Sequence, residues 1–219
     1  MGKAERVIEF YMYATTLKNK LRSGWVEIGI SQERIESVSE HISDCLMLAS
    51  IIMAEYDLYE YLDPYKVLLM LTFHETEEII MPDYTATSKK TREERDREGR
   101  ASVEQVASTL SRPQWLIDLC EEYRARKTKE AIFCYYIDKL QCDFHAKLLD
   151  LEGCMDYDTL KNRYPTDTPL ENASDYWIGF DEPKFKDSPI FKELIEAIKG
   201  IDEKQFQKVK ETIERGIIC

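Results

Sequence analysis

Histidine is scarce in this chain, with only three in 219 residues at positions 41, 74 and 145, and glycine and proline number just eight and seven. So few turn-forming residues exclude an all-β chain, which needs many tight turns, and favour helix. No CxxC pair exists among the cysteines at 45, 120, 134, 142, 154 and 219. Their scatter and the lack of a signal peptide read as reduced thiols in a cytoplasmic protein. Cys45 and Cys142 sit within helical patterns and read as core filler rather than nucleophiles. No apolar run is long enough to span a membrane. The start, MGKAER, lacks the Ser or Thr of a myristoylation signal, and Cys219 is terminal and so outside a prenylation box. An excess of positive charge is also missing. Thirty Lys and Arg against 42 Asp and Glu give a formal charge of −12, which repels polyanions and excludes broad binding to nucleic acid polymers or anionic membranes. A small phosphorylated ligand stays admissible, because one metal ion or arginine reverses the local field.

The chain does contain enough apolar residues for a core. At 43% hydrophobic and 33% charged, it suits one well-cored globular domain, or one domain plus an extension. The periodicity predicts an all-α protein. Residues 4 to 20 carry an imperfect helical stripe of Val7, Ile8, Tyr11, Met12 and Ala14, which Arg22-Ser23-Gly24-Trp25 interrupts with a helix stop at the glycine. Ser37 followed by Glu40 is a capping box that starts a helix at Val38, with a wide apolar face through Ile42, Cys45, Leu46, Ala49, Ile52 and Met53. Asp63-Pro64 starts another helix, expected to run through YKVLLMLTFHETEEII to Met81-Pro82. The charged segment 84 to 100 reads as a solvated loop leading into an exposed helix. Helical patterns follow at Ala101 to Leu110, Pro113 to Arg126 and Lys129 to Leu151. These define a helical domain over residues 1–152. Residues 153–219 read as an extension packed on it, partly helical, with an aperiodic run RYPTDTPLENASDYWIGFDEPKFKDSP before two short helices.

Two of the three histidines keep acidic company. His41 follows Glu40 at a helix start, and His74 opens FHETEEIIMPD, where one histidine meets four acidic residues within eleven positions. Asp138 lies in AIFCYYIDKLQCDFHAKLL among apolar neighbours. Burying a bare carboxylate costs several kcal/mol, so it requires a cation, a donor network or a metal. Lys139 projects about 100° away around the helix and is a poor partner. Two imidazoles and two carboxylates form a mixed nitrogen and oxygen set suited to Mn, Fe, Co, Ni or Zn.

Taken in order, LKNKLRSGW (Leu17 to Trp25), SVSEH (Ser37 to His41), FHETEEIIMPD (Phe73 to Asp83) and YIDKL (Tyr136 to Leu140) resemble the HD-domain metal-dependent phosphohydrolases. The resemblance is to their 5′-deoxynucleotidase branch, which removes phosphate from deoxynucleoside monophosphates. It implies an all-α HD-type bundle and one divalent cation (Mn, Co, Fe, Ni, Zn or Mg) held by His41, His74, Glu75 and Asp138. Glu78 then stands where the family activates the attacking water, Asp83 is acidic on the substrate side, and Arg22 is basic near the phosphate. A small phosphorylated substrate, a nucleotide, and a homodimer follow from the same likeness. The chemistry agrees: a metal acidifies bound water, a carboxylate takes the proton, and the planar arginine fork suits phosphate.

One departure stands out, because Glu75 occupies the position of the family's aspartate. Its extra methylene moves the carboxylate by about 1.5 Å, one carbon–carbon bond. Backbone retreat, ligation through another oxygen or a water, and loss of the metal are all open. The alternative is therefore a catalytically impaired HD-fold protein that binds nucleotide or acts as a scaffold. A third reading, a helical assembly protein, rests on tyrosines such as Tyr56, Tyr59 and Tyr61. His145 is read as structural, Glu77 as solvated, and Trp25 as a packing residue or the wall of a base pocket.

Overall fold

The computed structural model describes all residues except 86–87, 164–169, 171 and 218–219. Cys219 and residues 164–169 of the RYPTDTP run, both read from sequence above, lie outside the described residues. Among those described, no β-strand forms, and an isolated bridge pairs Leu21 with Ser37. The chain divides into two compact units. One comprises Met1–Glu27 with Gln32–Asp138, and the other comprises Ile28–Ser31 with Lys139–Cys219.

The first unit carries α1 (Lys3–Thr15), α2 (Ser23–Glu27), α3 (Val38–Glu55), α4 (Pro64–Phe73), α5 (Arg92–Ala107), α6 (Gln114–Ala125) and the start of α7 (Lys129–Leu151). Three of these starts have a clear local cause. Ser37 accepts the Glu40 amide while Glu40 reaches back to the Ser37 amide, and Thr91 with Glu94 repeats the box at α5. Asp63 caps α4 with Pro64 in its first turn. Helices α3 and α4 pack together, and α6 packs on both α4 and α5. Val103, Ala107, Leu116 and Cys120 form a buried cluster there, with Phe10 and Phe73 against it. Each large side chain buried this way contributes roughly 1.5–3 kcal/mol.

Three expectations are corrected. The helix from Pro64 ends at Phe73, not at Met81, and a 3-10 turn follows over Thr76–Ile79. The Thr76 hydroxyl donates to the Phe73 carbonyl at 2.6 Å, so a side chain takes an acceptor that the next helical amide would have used. Gly24 does not stop a helix, since it lies inside α2. The α-helix ends earlier, at Thr15, and a 3-10 turn over Thr16–Asn19 leads to Lys20 to Arg22, where the backbone pairs with the entry to α3 through Arg22 N to Glu36 O at 3.0 Å and Val38 N to Lys20 O at 2.8 Å. The stripe Val7, Ile8, Tyr11 and Met12 stays exposed on α1, while Phe10 turns in against Phe73 with ring centroids 6.2 Å apart.

The second unit contains the rest of α7, α8 (Tyr157–Arg163), α9 (Ser174–Asp181), α10 (Pro189–Lys199) and α11 (Glu203–Ile217). Helix α9 and a 3-10 turn over Glu182–Phe185 therefore form inside the stretch that lacked a period. Its core stacks Phe185 on Phe191 at 5.6 Å and buries Leu160, Ile178 and Ile195. Asp150 accepts both the amide and the hydroxyl of Ser174 at 2.8 Å, anchoring the start of α9.

Candidate metal centre

The capping box at Ser37 fixes the first turn of α3 and aims His41, which is fully buried, into the first unit. The end of α4 supplies His74 and Glu75, and the 3-10 turn supplies Glu78. Asp138 arrives on α7. One donor atom from each of His41, His74, Glu75 and Asp138 lies within 4.8 Å of the others. The His41 and His74 Nε2 atoms are 3.3 Å apart, and His41 Nε2 is 3.4 Å from Asp138 Oδ1 and 3.5 Å from Glu75 Oε1. His74 Nε2 is 3.6 Å from the same Glu75 oxygen. The longer side chain of Glu75 thus still delivers its carboxylate to the cluster.

The donor set fits a divalent cation. Donors held about 2.0–2.2 Å from one ion at near-tetrahedral angles stand roughly 3.3–3.6 Å from one another, which is the spacing of the four pairs given above. His74 Nδ1 lies 2.7 Å from the Leu71 carbonyl, which can only accept, so Nδ1 carries a proton and Nε2 is the nitrogen that would serve a metal. Tyr123 donates to Asp138 Oδ2 at 2.9 Å, fixing the carboxylate while Oδ1 faces His41.

The electrostatics point the same way. Burial is the largest influence on Glu75 and opposes its charge, yet His74, His41 and Arg22 overcome it and hold the carboxyl at about 2. Burial also opposes the proton on both imidazoles. At His41 it is joined by Arg22, but Cys45 and Asp138 outweigh them and raise the ring's proton affinity well above normal. At His74, Glu75, Cys45 and Asp138 raise it. This field attracts positive charge, which a metal supplies by displacing the protons.

Glu78 differs. It is buried, its Oε2 has no hydrogen-bond partner, and its carboxyl is pushed well above the usual range, first by burial and then by Glu75 and Asp83. In a 3-10 turn residues three apart eclipse one another, so Glu78 shares a face with Glu75 even though the α-helix has ended. Arg22 Nη1 faces three acids, at 3.2 Å from Glu75, 3.6 Å from Asp83 and 3.9 Å from Glu78. Asp83 is itself tied to the Ser23 amide at 2.8 Å.

Sequence reasoning missed three neighbours. Tyr123 shares the α6 stripe of Leu116, Leu119 and Cys120, so its spacing marked it as inward-facing, but nothing marked its partner. Lys20 donates to the Glu78 carbonyl and, at 2.7 Å, to the Met81 carbonyl, tethering the segment that carries Glu78 toward Asp83. Cys45, read as filler, touches His41. Glu77 also departs from expectation: it pairs with Arg124 rather than pointing into solvent. His145 belongs to the second unit. Trp25 is buried and donates from Nε1 to Glu36 at 3.1 Å, a packing arrangement.

The HD domain family model matches residues 14–164. The chain is 29% identical over 144 residues to the 5′-deoxynucleotidase HDDC2 of Dictyostelium discoideum, covering 64% of this chain and 75% of that protein. It is 27% identical over 148 residues to the Xenopus laevis protein of the same name, covering 67% and 69%. Among solved structures, the PH0347 protein of Pyrococcus horikoshii has a TM-score of 0.66 at 19% identity, covering 87% of this chain and 97% of that one. A protein of Magnetospirillum magnetotacticum, described as a predicted metal-dependent phosphohydrolase, also has a TM-score of 0.66, at 22% identity and 98% and 94% coverage. These likenesses establish the fold, and the family match spans well over half of the sequence. The chain belongs to the HD domain family.

Proposed function

We propose that this protein is a metal-dependent phosphohydrolase that cleaves phosphomonoesters of nucleotides, (deoxy)nucleoside 5′-monophosphates in particular. The observation that carries the reading is the junction of two features. Four donors are spaced for one cation, and beside them is a buried carboxylate with an open oxygen, Glu78 Oε2. The names of the two HDDC2 relatives support the substrate class.

His41, His74, Glu75 and Asp138 would hold the cation, which supplies Lewis acidity toward a phosphoryl oxygen and lowers the pKa of water. Glu78 takes the proton of the attacking water. Its burial favours uptake of the proton, and its open oxygen leaves an acceptor free. The water oxygen bonds to phosphorus, the ester P–O bond breaks, and the leaving oxygen becomes the alcohol by taking up one proton, balanced by the one that Glu78 gives up on returning to its carboxylate. Arg22 turns its guanidinium to the phosphoryl oxygens, and the substrate's negative charge competes with the acids it now faces. Asp83, anchored by the Ser23 amide, stands on the substrate side. Lys20 and Tyr123 act as positioning residues. A cytoplasmic homodimer completes the reading, supported by the free cysteines and by the exposed apolar residues of α1.

The test is phosphate release from metal-loaded protein across a panel of ribo- and deoxyribonucleoside 5′-mono-, di- and triphosphates. Monophosphates should turn over, chelator should abolish the reaction, and light scattering should give two chains per particle. Turnover that ignores chelator, or that survives His74→Ala, overturns the mechanism.

A further inference from the structure

A guanidinium serves a phosphoryl group best when the main chain beneath it is fixed, because a long side chain that must be ordered on binding loses affinity to entropy. At Arg22 that fixing is done by two residues which the hydrolysis derived above does not use. The Arg22 amide donates to the Glu36 carbonyl at 3.0 Å, and the Arg22 carbonyl accepts from the Trp25 amide at 3.2 Å. Glu36 and Trp25 are themselves joined, since the indole Nε1 donates to the Glu36 carboxylate at 3.1 Å. Three hydrogen bonds thus close a ring through Arg22, Trp25 and Glu36. Both Trp25 and Glu36 are buried, so water is poorly placed to replace either partner. Core packing alone would be served by an apolar side chain at position 36, whereas a buried acid is costly. Its place in the chain is also particular. Glu36 directly precedes Ser37, the cap that starts α3 and aims His41, while Ser23, next to Arg22, donates its amide to Asp83 at 2.8 Å. One residue therefore joins the helix that bears a metal ligand to the segment that bears the phosphate-binding groups.

We propose that Glu36 is a positioning residue for phosphomonoester binding. Its carboxylate holds the Trp25 indole and its carbonyl holds the Arg22 amide, and together they set where the Arg22 guanidinium stands relative to the metal ligands. The inference deepens the functional reading above and rests on it for the substrate. Glu36 acts only through Arg22 and touches neither metal ligand nor reacting atom. Without the indole bond, the first turn of α2 loses its side-chain tether to the entry of α3. The guanidinium then moves more freely among Glu75, Glu78 and Asp83, the acids that compete with phosphate for it. The loss falls on substrate affinity, and so on KM rather than kcat, as for any contact made alike in the ground and transition states.

The experiment compares the full chain with Glu36→Ala, Glu36→Gln and Trp25→Phe. Calorimetry measures manganese affinity and then the affinity of the manganese-loaded chain for inorganic phosphate, and steady-state rates on a deoxynucleoside 5′-monophosphate separate KM from kcat. Glu36→Ala and Trp25→Phe should weaken phosphate binding and raise KM about tenfold, with kcat and manganese affinity within about threefold of wild type. Glu36→Gln, whose amide oxygen still accepts from the indole, should stay within about twofold of wild type in each quantity. In an Arg22→Ala background, Glu36→Ala should change phosphate affinity no further, because the group it positions is gone. Proton–nitrogen NMR of metal-free protein reads the bond itself: the indole resonance that Trp25→Phe removes should move in Glu36→Ala and hold in Glu36→Gln. Phosphate affinity and KM unchanged in both Glu36→Ala and Trp25→Phe overturn the proposal, as does an effect that persists at full size without Arg22. An equal fall in manganese affinity overturns it too, since that marks general damage to the bundle. If Glu36→Ala fails to fold, Trp25→Phe carries the comparison, because it removes the donor and keeps a ring in the core. A wild type that binds phosphate but cleaves no nucleotide counts against the hydrolase reading alone, and the phosphate affinities still decide the role of Glu36. A wild type that binds no phosphate overturns both.

Discussion

Glu77 and Glu78 are consecutive residues on one 3-10 turn; burial raises the proton affinity of both, and the two sides of that turn differ in how the charge is compensated. Glu77 faces α5 and α6, where Arg124 binds its carboxylate and Arg124 Nη1 also reaches Glu121 at 2.8 Å. The Ser102 hydroxyl secures the Glu77 carbonyl at 2.6 Å, and Gly99 leaves room for the pair. Glu78 lies among Glu75, Asp83 and a shared arginine at 3.9 Å, with burial first and then the two acids raising its proton affinity, and with one open oxygen. The first side is arranged for stability. The second leaves repulsion unrelieved in a buried place, which a fold tolerates only where something else is gained.

The largest expected effect comes from emptying the second side of a ligand. His74→Ala should lower divalent metal affinity by more than about 100-fold and take turnover to background, measured by metal titration and phosphate release. Glu78→Gln comes next, with kcat falling roughly 10²–10⁴-fold while metal binding persists. Because this change removes a repelled charge, the thermal midpoint of the variant should equal or exceed that of wild type. A clear fall in midpoint would erase the contrast drawn here. Tyr123→Phe deletes the donor to Asp138 and should weaken metal binding about tenfold with little change in fold, checked by calorimetry.

The first side should respond in stability alone. Arg124→Ala, or Gly99→Ala, whose new Cβ would collide with the Glu77 carboxylate, should cost about 1–3 kcal/mol of unfolding free energy in denaturant titrations. Metal affinity should stay near the wild-type value. The smallest and sharpest test is pH, using metal-free protein. Glu75 has a folded pKa depressed from 4.5 to about 2, so its contribution to stability is present above pH 4.5 and is lost as pH falls through that window. Glu78 has the opposite sign. Its folded pKa is raised, so its ionisation costs stability progressively as pH rises above 4.5. Unfolding midpoints across this range should show Glu78→Gln removing the loss on the alkaline side while leaving the loss on the acid side in place.

Much of the scaffold was readable without coordinates. The Ser37–Glu40 box, the Asp63-Pro64 start and the span of α7 are local events, set by side chains reaching amides one turn away or by a period of apolar residues. Asp138 was legible as a type, because a carboxylate in an apolar helix is costly unless it has a partner, whereas the grouping of His41, His74, Glu75 and Asp138 around one cation came from the resemblance to the HD-domain phosphohydrolases. The early end of α4 was not legible, since it depends on the Thr76 hydroxyl winning the Phe73 carbonyl over a backbone amide.

The sequence by itself determined the helical class, most helix starts and which side chains had chemistry to offer. Those properties arise from interactions within a few residues of chain. The tertiary structure decided that the Glu75 carboxylate reaches both imidazoles, that Arg22 stands among three acids, that Tyr123 steadies Asp138, and that Cys45 lies against His41. Such distances are set by how α3, α4, α6 and α7 pack against one another, and no local period or cap encodes an ångström-scale separation between atoms that are remote along the chain.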